Sequence, residues 1–360
     1  MRISTAAVMS VVLVRSVAAG AQDPGEALWR GLQENPPTAP QTAERIEALK
    51  ALDTWLAEPD SEKNEAVVAY YQRAVDHAFD CIEREKPGKG VRVFQLYSSS
   101  VIVQTPDTVF AIDLDQGPNK RLDQAASEEG VAFRMREDQI ARLARLVDVS
   151  FHTHEHYDHV DFAITRALIE AGKTVVVTES NKALWAEQPW AEKLVVLDQT
   201  LDEPHELGGL TVDVLHDHQW DNETHTRGTP CNAFLIATAD GTCVGTKGDI
   251  NCGLRLYGWL NVMVERGRHV DVMVGSPIYW RGANLMREID ALLAPVWAAG
   301  HVWEFTHRSA GERGGATGTY ARNSLGVAHA IEAGEACALS WGEHLDIEPA
   351  RKASRARKRK

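Results

Sequence analysis

The chain has 360 residues, enough for a substantial core in one large domain or two ordinary ones. Hydrophobic residues make up 44% and charged residues 25%, the balance of a globular protein. The formal net charge of -13 argues against general nucleic-acid binding by the folded body. An anionic small-molecule substrate stays open, because a bound metal reverses the field locally. The five cysteines, Cys81, Cys231, Cys243, Cys252 and Cys337, contain no CxxC pair. They read as small buried residues, with one disulfide open to an exported protein.

Residues 1–22 have the parts of a secretory signal. Arg2 gives a short positive start, Thr5 to Val14 an apolar run, and Ala19-Gly20-Ala21 a small-residue cleavage site. If this signal is genuine the protein is exported, periplasmic or secreted; otherwise it is cytoplasmic. The run is too short to span a membrane, and no other stretch is long enough. Residues 23–90 form an N-terminal helical extension. Pro36-Pro37 and Pro40 break its start. From Thr42, Ile46, Leu49, Leu52 and Trp55 recur at three-residue spacing. A second helix is predicted over 65–85, stopped by Pro87-Gly88. These helices carry no evident chemistry; packing against the main domain or a partner, or service as a lid, are the roles open to them.

From Val91 the pattern changes to short β-branched strands, over 91–97, 101–105 and 108–114. A polar loop over 115–129 and an amphipathic helix over 137–145 follow. Strands at 174–177 and 194–197 then alternate with helices at 162–171 and 181–187. This is the pattern of a layered α/β protein. Further strands are predicted at 210–215, 232–238, 242–245, 270–274 and 296–300, with the Asp240-Gly241 hairpin turn between two of them. Helices at 284–293 and 320–332 and a strand at 336–339 complete the domain. Residues 346–360 read as a basic disordered tail, with seven Lys/Arg from Arg351 onward.

The densest chemistry lies at His152-Thr153-His154-Glu155-His156-Tyr157-Asp158-His159. Clustered imidazoles and a carboxylate are ligands for Zn²⁺ or Fe²⁺. The apolar run 146–151 leads in as a buried strand, and Asp158 and His159 fall where the chain turns into a helix. Further candidates sit at other strand ends. His216 and His218 follow the strand at 210–215 and share one parity, so extended geometry does not choose between them. Asp249 follows Gly248, where glycine lets backbone approach closely. His301 ends the apolar run 293–300.

In this order the motifs resemble the metallo-β-lactamase superfamily of metallohydrolases, over roughly residues 91–345. The resemblance implies an αββα sandwich with metals at one edge, between two sheets. It implies two divalent metal ions, zinc first, with iron or manganese as alternatives. His154, His156 and His218 would hold one, with His216 the lesser candidate for the third position. Asp158, His159 and His301 would hold the other, and Asp249 would bridge them. His152 would be a supporting or core residue, Glu155 no ligand, and Glu304 an acceptor behind His301.

Metal-dependent hydrolysis is the implied activity, with a metal-bound hydroxide attacking an ester, lactone, amide or phosphodiester of a small molecule. Asp158 would orient the nucleophile and shuttle its proton. Trp220, Asn222, His225, Arg227, Tyr279, Trp280 and Arg281 are candidates to line the pocket, and His225 and His307 lie near ligands without matching a ligand position. The rival readings are a non-haem iron oxidoreductase on the same fold and a non-catalytic metal-binding protein. No Ser or Cys nucleophile motif competes, and no nucleic-acid partner is indicated.

Overall fold

A computed structural model describes residues 23–118, 133–221, 226–250, 254–275, 296–305, 327–332, 334 and 336–349. Three helices lead: α1 (Pro24–Glu34), α2 (Ala43–Leu56) and α3 (Glu65–Arg84). Each starts at a polar cap. Asp23 accepts from the Gly25 N–H, Thr42 from Arg45 and Asn64 from Ala66. Such a cap contributes about 1 kcal/mol. The sequence reading missed α1, whose apolar positions are few and whose end runs into Pro36-Pro37. In α3 one face is buried, with Val67, Tyr71, Val75, Ala78, Phe79 and Ile82 at helical spacing.

Two seven-stranded sheets follow. In the first, β1 (Val91–Gln95), β2 (Val101–Gln104) and β3 (Val109–Ile112) are antiparallel neighbours. β4 (Val149–Phe151), β5 (Thr174–Val177) and β6 (Val195–Val196) then continue the sheet parallel to β3. The connections are α4 (Glu137–Leu146), α5 (Phe162–Glu170) and α6 (Glu179–Leu184). The second sheet opens with antiparallel β7 (His205–Leu207), β8 (Leu210–Asp221), β9 (Thr226–Ala237) and β10 (Cys243–Thr246). It ends with β11 (Val272–Gly275), β12 (Val296–Ala299) and β13 (Ala336–Ala338), all parallel to β10. α7 (Leu254–Glu265) and α8 (Val327–Glu332) belong to this half, and β14 (His344–Ile347) returns to pair with β1.

Apolar residues at alternate positions on the inner faces meet between the sheets. Val93, Phe110 and Phe151 face Val214, Phe234 and Val272 across this core. A second apolar cluster packs the helices on the outer faces. The architecture is therefore the αββα sandwich that the resemblance implies.

Further elements differ from the sequence reading. β8 runs on through His216, Asp217 and His218, paired with Asn232, Cys231 and Pro230. Polar side chains hid this continuation, which the backbone ladder sustains. β14 occupies part of the segment expected to be a disordered tail from 346; its partner β1 lies at the other end of the domain, so nothing local announces it. α7 was not foreseen. Among the described residues Cys81, Cys231, Cys243 and Cys337 are free. No helix among them is long and apolar enough to cross a membrane. The signal at 1–22, the loop at 119–129, the helix at 284–293, Cys252 and the tail from 351 lie outside the described residues.

Candidate metal centre

The site stands where parallel strands of both sheets end. Asp113 follows β3, and His152–His159 follows β4. Asp249 lies just past β10, and His301 just past β12. Carboxyl ends of parallel strands are where open α/β sheets place their ligands. Gly248, at φ 53°, lets the chain turn there. A Cβ on it would lie 2.6 Å from Thr153 Cβ and 2.8 Å from Cys231 Sγ. Asp161 caps α5 by accepting from the Ile164 N–H at 2.9 Å, which fixes the exit of the histidine loop.

Four donor atoms converge. His159 Nε2 lies 3.3 Å from Asp158 Oδ2 and 3.6 Å from Asp249 Oδ1. His301 Nε2 lies 3.5 Å from Asp158 Oδ2 and 3.4 Å from Asp249 Oδ1. The two imidazole Nε2 atoms are 2.7 Å apart. A tetrahedron on metal–ligand bonds of about 2.0–2.1 Å has edges of about 3.3–3.4 Å. The four carboxylate–imidazole distances lie close to those edges, while the two imidazoles stand nearer to each other, at hydrogen-bond distance. His154 joins His159 and Asp249 in a second close group. Its Nε2 is buried and makes no hydrogen bond. A buried imidazole nitrogen without a partner is costly unless something occupies its lone pair. These donors fit a divalent metal ion.

The tautomers suit that use. Asp113 Oδ2 accepts from His159 Nδ1 at 2.9 Å and from the Thr153 hydroxyl at 2.9 Å. Asp113 Oδ1 takes the Thr153 N–H at 2.7 Å. A carboxylate cannot donate, so the hydroxyl spends its proton on Asp113. Thr153 Oγ1 therefore accepts from His154 Nδ1, 3.0 Å away. One buried carboxylate thus directs both Nε2 lone pairs into the site, His159 directly and His154 through Thr153. Asp113 holds this post at φ 53°, a left-handed conformation costing about 1–3 kcal/mol in a non-glycine residue.

The field is strong. Burial opposes a charge on His159, but the carboxylates of Asp158, Asp249 and Asp113 outweigh it and hold its pKa well above the ordinary value. His301 behaves alike: burial opposes, Asp249 prevails, and the pKa rises to about 10. Burial also works against Asp249, yet His301 and His159 hold its carboxyl well below the usual range. A carboxylate cluster that draws protons onto two buried histidines also favours a divalent cation. His154 is different. Burial, reinforced by His159, pushes its pKa well down, so it stays neutral, the form that ligates metal.

Of the seven expected ligands, the structure brings His154, Asp158, His159, Asp249 and His301 together. It does not place His156 or His218 in either close group. His156 Nε2 meets Thr229 Oγ1 at 3.1 Å, with its ring 4.6 Å from that of His154. His218 Nδ1 is buried and makes no hydrogen bond; Asp217 Oδ1 stands 4.0 Å away. His216 Nε2 instead donates to the Leu197 carbonyl at 2.8 Å. His152 is fully buried and donates from Nδ1 to the His159 carbonyl at 3.0 Å. Glu304 Oε2 lies 3.6 Å from His301 Nδ1. Asn222, His225, Tyr279, Trp280, Arg281 and His307 lie outside the described residues, as do the side chains of Trp220 and Arg227.

Sequence reasoning missed Asp113, absorbed into a predicted strand over 108–114. It also missed Gln219, whose Nε2 donates to Asp249 Oδ2 at 3.1 Å, and Ser99, whose Oγ lies 3.4 Å from His159 Nε2. An aspartate near the end of an apolar run was the available signal for the first. Asp113→Asn tests its role, since asparagine tolerates the left-handed backbone but lacks the charge. The variant is expected to stay folded and to bind Zn²⁺ about 10–100-fold more weakly in chelator competition.

No family model matches the chain, and a search of curated proteins finds no match. Solved structures do resemble it. An isothiocyanate hydrolase from Delia radicum gut bacteria shares 18% identity, over 71% of this chain and 98% of that one, with a TM-score of 0.48. The metallo-beta-lactamase fold protein YhfI from Bacillus subtilis shares 12%, over 72% of this chain and 99% of that one, at 0.44. CmlA, a diiron beta-hydroxylase from Streptomyces venezuelae, shares 14%, over 73% of this chain and 55% of that one, at 0.46. The αββα sandwich itself is read from the chain's own two sheets and outer helices. At such low identity the chemistry rests on the donor geometry of this chain, since a fold does not fix a function.

Proposed function

We propose that this chain is a metal-dependent hydrolase acting on a small molecule with an ester, lactone, amide or phosphodiester bond. One observation carries the reading: the Nε2 atoms of His159 and His301 each lie 3.3–3.6 Å from Asp158 Oδ2 and Asp249 Oδ1, close to the spacing of two ligands on one ion. Asp158, His159 and His301 would hold one divalent ion, with Asp249 shared. His154 would hold a second, with His156 and His218. His218 is favoured over His216, because His216 spends its Nε2 on the Leu197 carbonyl while the buried Nδ1 of His218 has no hydrogen bond. Bound there, divalent metal lowers the pKa of water and polarises the attacked oxygen.

The chain's own groups supply orientation and proton transfer. Asp158, 1% exposed, orients the attacking water and accepts its proton on a carboxylate oxygen. Asp113 and Thr153 keep His154 and His159 in the ligating tautomer. Gln219 steadies the bridging Asp249 from β8.

The test is a panel of esters, lactones, amides and phosphodiesters with the full chain supplied with Zn²⁺, Mn²⁺ or Fe²⁺. At least one class should be hydrolysed, and Asp158→Asn should lower that rate by roughly 10²-fold or more. Metal-dependent oxygen uptake with no hydrolysis across the panel would replace this reading by the oxidoreductase one.

A further inference from the structure

Resting on the metal-site reading above, we infer that Asp53 of the N-terminal helices is a positioning residue for the metal centre, acting on His301 through the indole of Trp303. Asp53 lies on the buried face of α2 and is 1% exposed. Trp303 is fully buried, and its Nε1–H donates to Asp53 Oδ1 at 2.5 Å. The two residues come from opposite ends of the chain. Trp303 is two residues after His301, and both sit in the left-handed region, at φ 53° and 58°. Such backbone persists only where the surroundings hold it.

Other contacts tie this short segment to the start of the first sheet and to the aromatic core, where Phe305 packs on Phe133 and Trp341. The His301 N–H donates to the Ser98 carbonyl at 3.2 Å, and Val302 bridges to Ser98. The Phe305 N–H donates to the Tyr97 hydroxyl at 2.7 Å. Asp53 adds an anchor from the N-terminal helices, on a helix that is itself fixed. About two turns earlier on the same buried face, Arg45 makes a buried ion pair with Glu343. Gln41, next to the helix start, donates to the Ala338 carbonyl at 2.9 Å.

The consequence reaches the donor set. A buried indole N–H that loses its acceptor must find another or stay unsatisfied, so the segment would shift. His301 Nε2 stands 3.4 Å from Asp249 Oδ1 and 3.5 Å from Asp158 Oδ2. Sites of this kind tolerate displacements of only about 0.5 Å. The N-terminal helices are thus a fixed support for one side of the centre; the burial of Asp53 and Arg45 is opposed to a lid that opens.

The experiment titrates Co²⁺ into the full chain, reading affinity and ligand-field spectrum by visible absorption and fold by circular dichroism. Trp303→Phe and Asp53→Leu are each expected to bind Co²⁺ about 10-fold more weakly or worse, with an altered spectrum. Asp53→Asn keeps an acceptor oxygen and should bind within about threefold of the parent, a rescue that a purely structural role would not show in the spectrum. Trp303→Phe keeps the aromatic packing and carries the test should Asp53→Leu fail to fold. A folded Trp303→Phe protein with the parent's affinity and spectrum overturns the inference, as does an Asp53→Asn protein no better than Asp53→Leu. His301→Ala separates the two levels. Undiminished Co²⁺ binding there removes His301 as a ligand, whereas loss there with retention in the Asp53 and Trp303 variants removes the positioning role alone.

Discussion

Asp249→Ala should cost the protein its metal and its hydrolytic activity while leaving the fold in place. Its carboxylate touches Gln219, His159 and His301 and supports no core packing. It is the group common to both proposed ion positions, so its loss weakens both. Metal affinity is expected to fall by more than about 100-fold, beyond the range typical of an outer partner such as Asp113. Turnover should fall by roughly 10²–10³-fold or more, because the charge that organises the site is gone. Two imidazoles drawn upward in pKa by that carboxylate would also relax towards ordinary values. Elemental analysis after dialysis and the circular dichroism spectrum check the two halves. A folded variant at full metal occupancy would sink the bridging assignment.

Glu343→Leu should destabilise the chain more than any change at the metal centre. Glu343 and Arg45 are 4% and 0% exposed, and their paired contacts include Arg45 Nη1 to Glu343 Oε1 at 2.7 Å. Arg45 also donates to the carbonyls of Asn35 and Ala338, and Glu343 accepts from the Ser340 N–H. Removing the carboxylate strands a guanidinium in the interior, at a cost of about 3–5 kcal/mol. For a chain of this size the melting temperature should drop by about 10 °C. Replacing both partners, Arg45→Met with Glu343→Leu, should recover much of it, since an apolar pair leaves no charge unsatisfied. If the double variant is no more stable than the single one, the loss is one of packing and not of charge. The pair joins α2 to the turn before β14, so the same variant also tests whether the N-terminal helices fold onto the domain as one unit.

What could be read from the sequence follows how local each signal is. The strand Thr174–Val177 is a continuous β-branched run, and the Asp240-Gly241 turn has its own side-chain chemistry; both appear where they were expected. The histidine cluster needs only neighbours in sequence. The layered α/β class follows from alternation of periods. Asp113 was hidden because its importance depends on β3 lying parallel to β4, which carries Thr153 and His159 to it. The short strand β14 was hidden because its pairing with β1 spans the whole domain. The contact between Asp53 and Trp303 joins residues with no local pattern in common. His216 and His218 share strand parity, and what tells them apart is tertiary: the Leu197 carbonyl, just past β6, takes up His216 Nε2, while the buried His218 Nδ1 has no hydrogen bond. In each case tertiary placement, not propensity, decides the role.

The most direct measurement is the metal-to-protein ratio of the purified full chain after exposure to Zn²⁺ and dialysis, with the chelator-stripped protein as reference. Two tightly held ions per chain are expected, recovered on adding Zn²⁺ back and lowered in Asp249→Ala. A folded parent chain that retains no stoichiometric metal under these conditions would contradict the metal-centre reading.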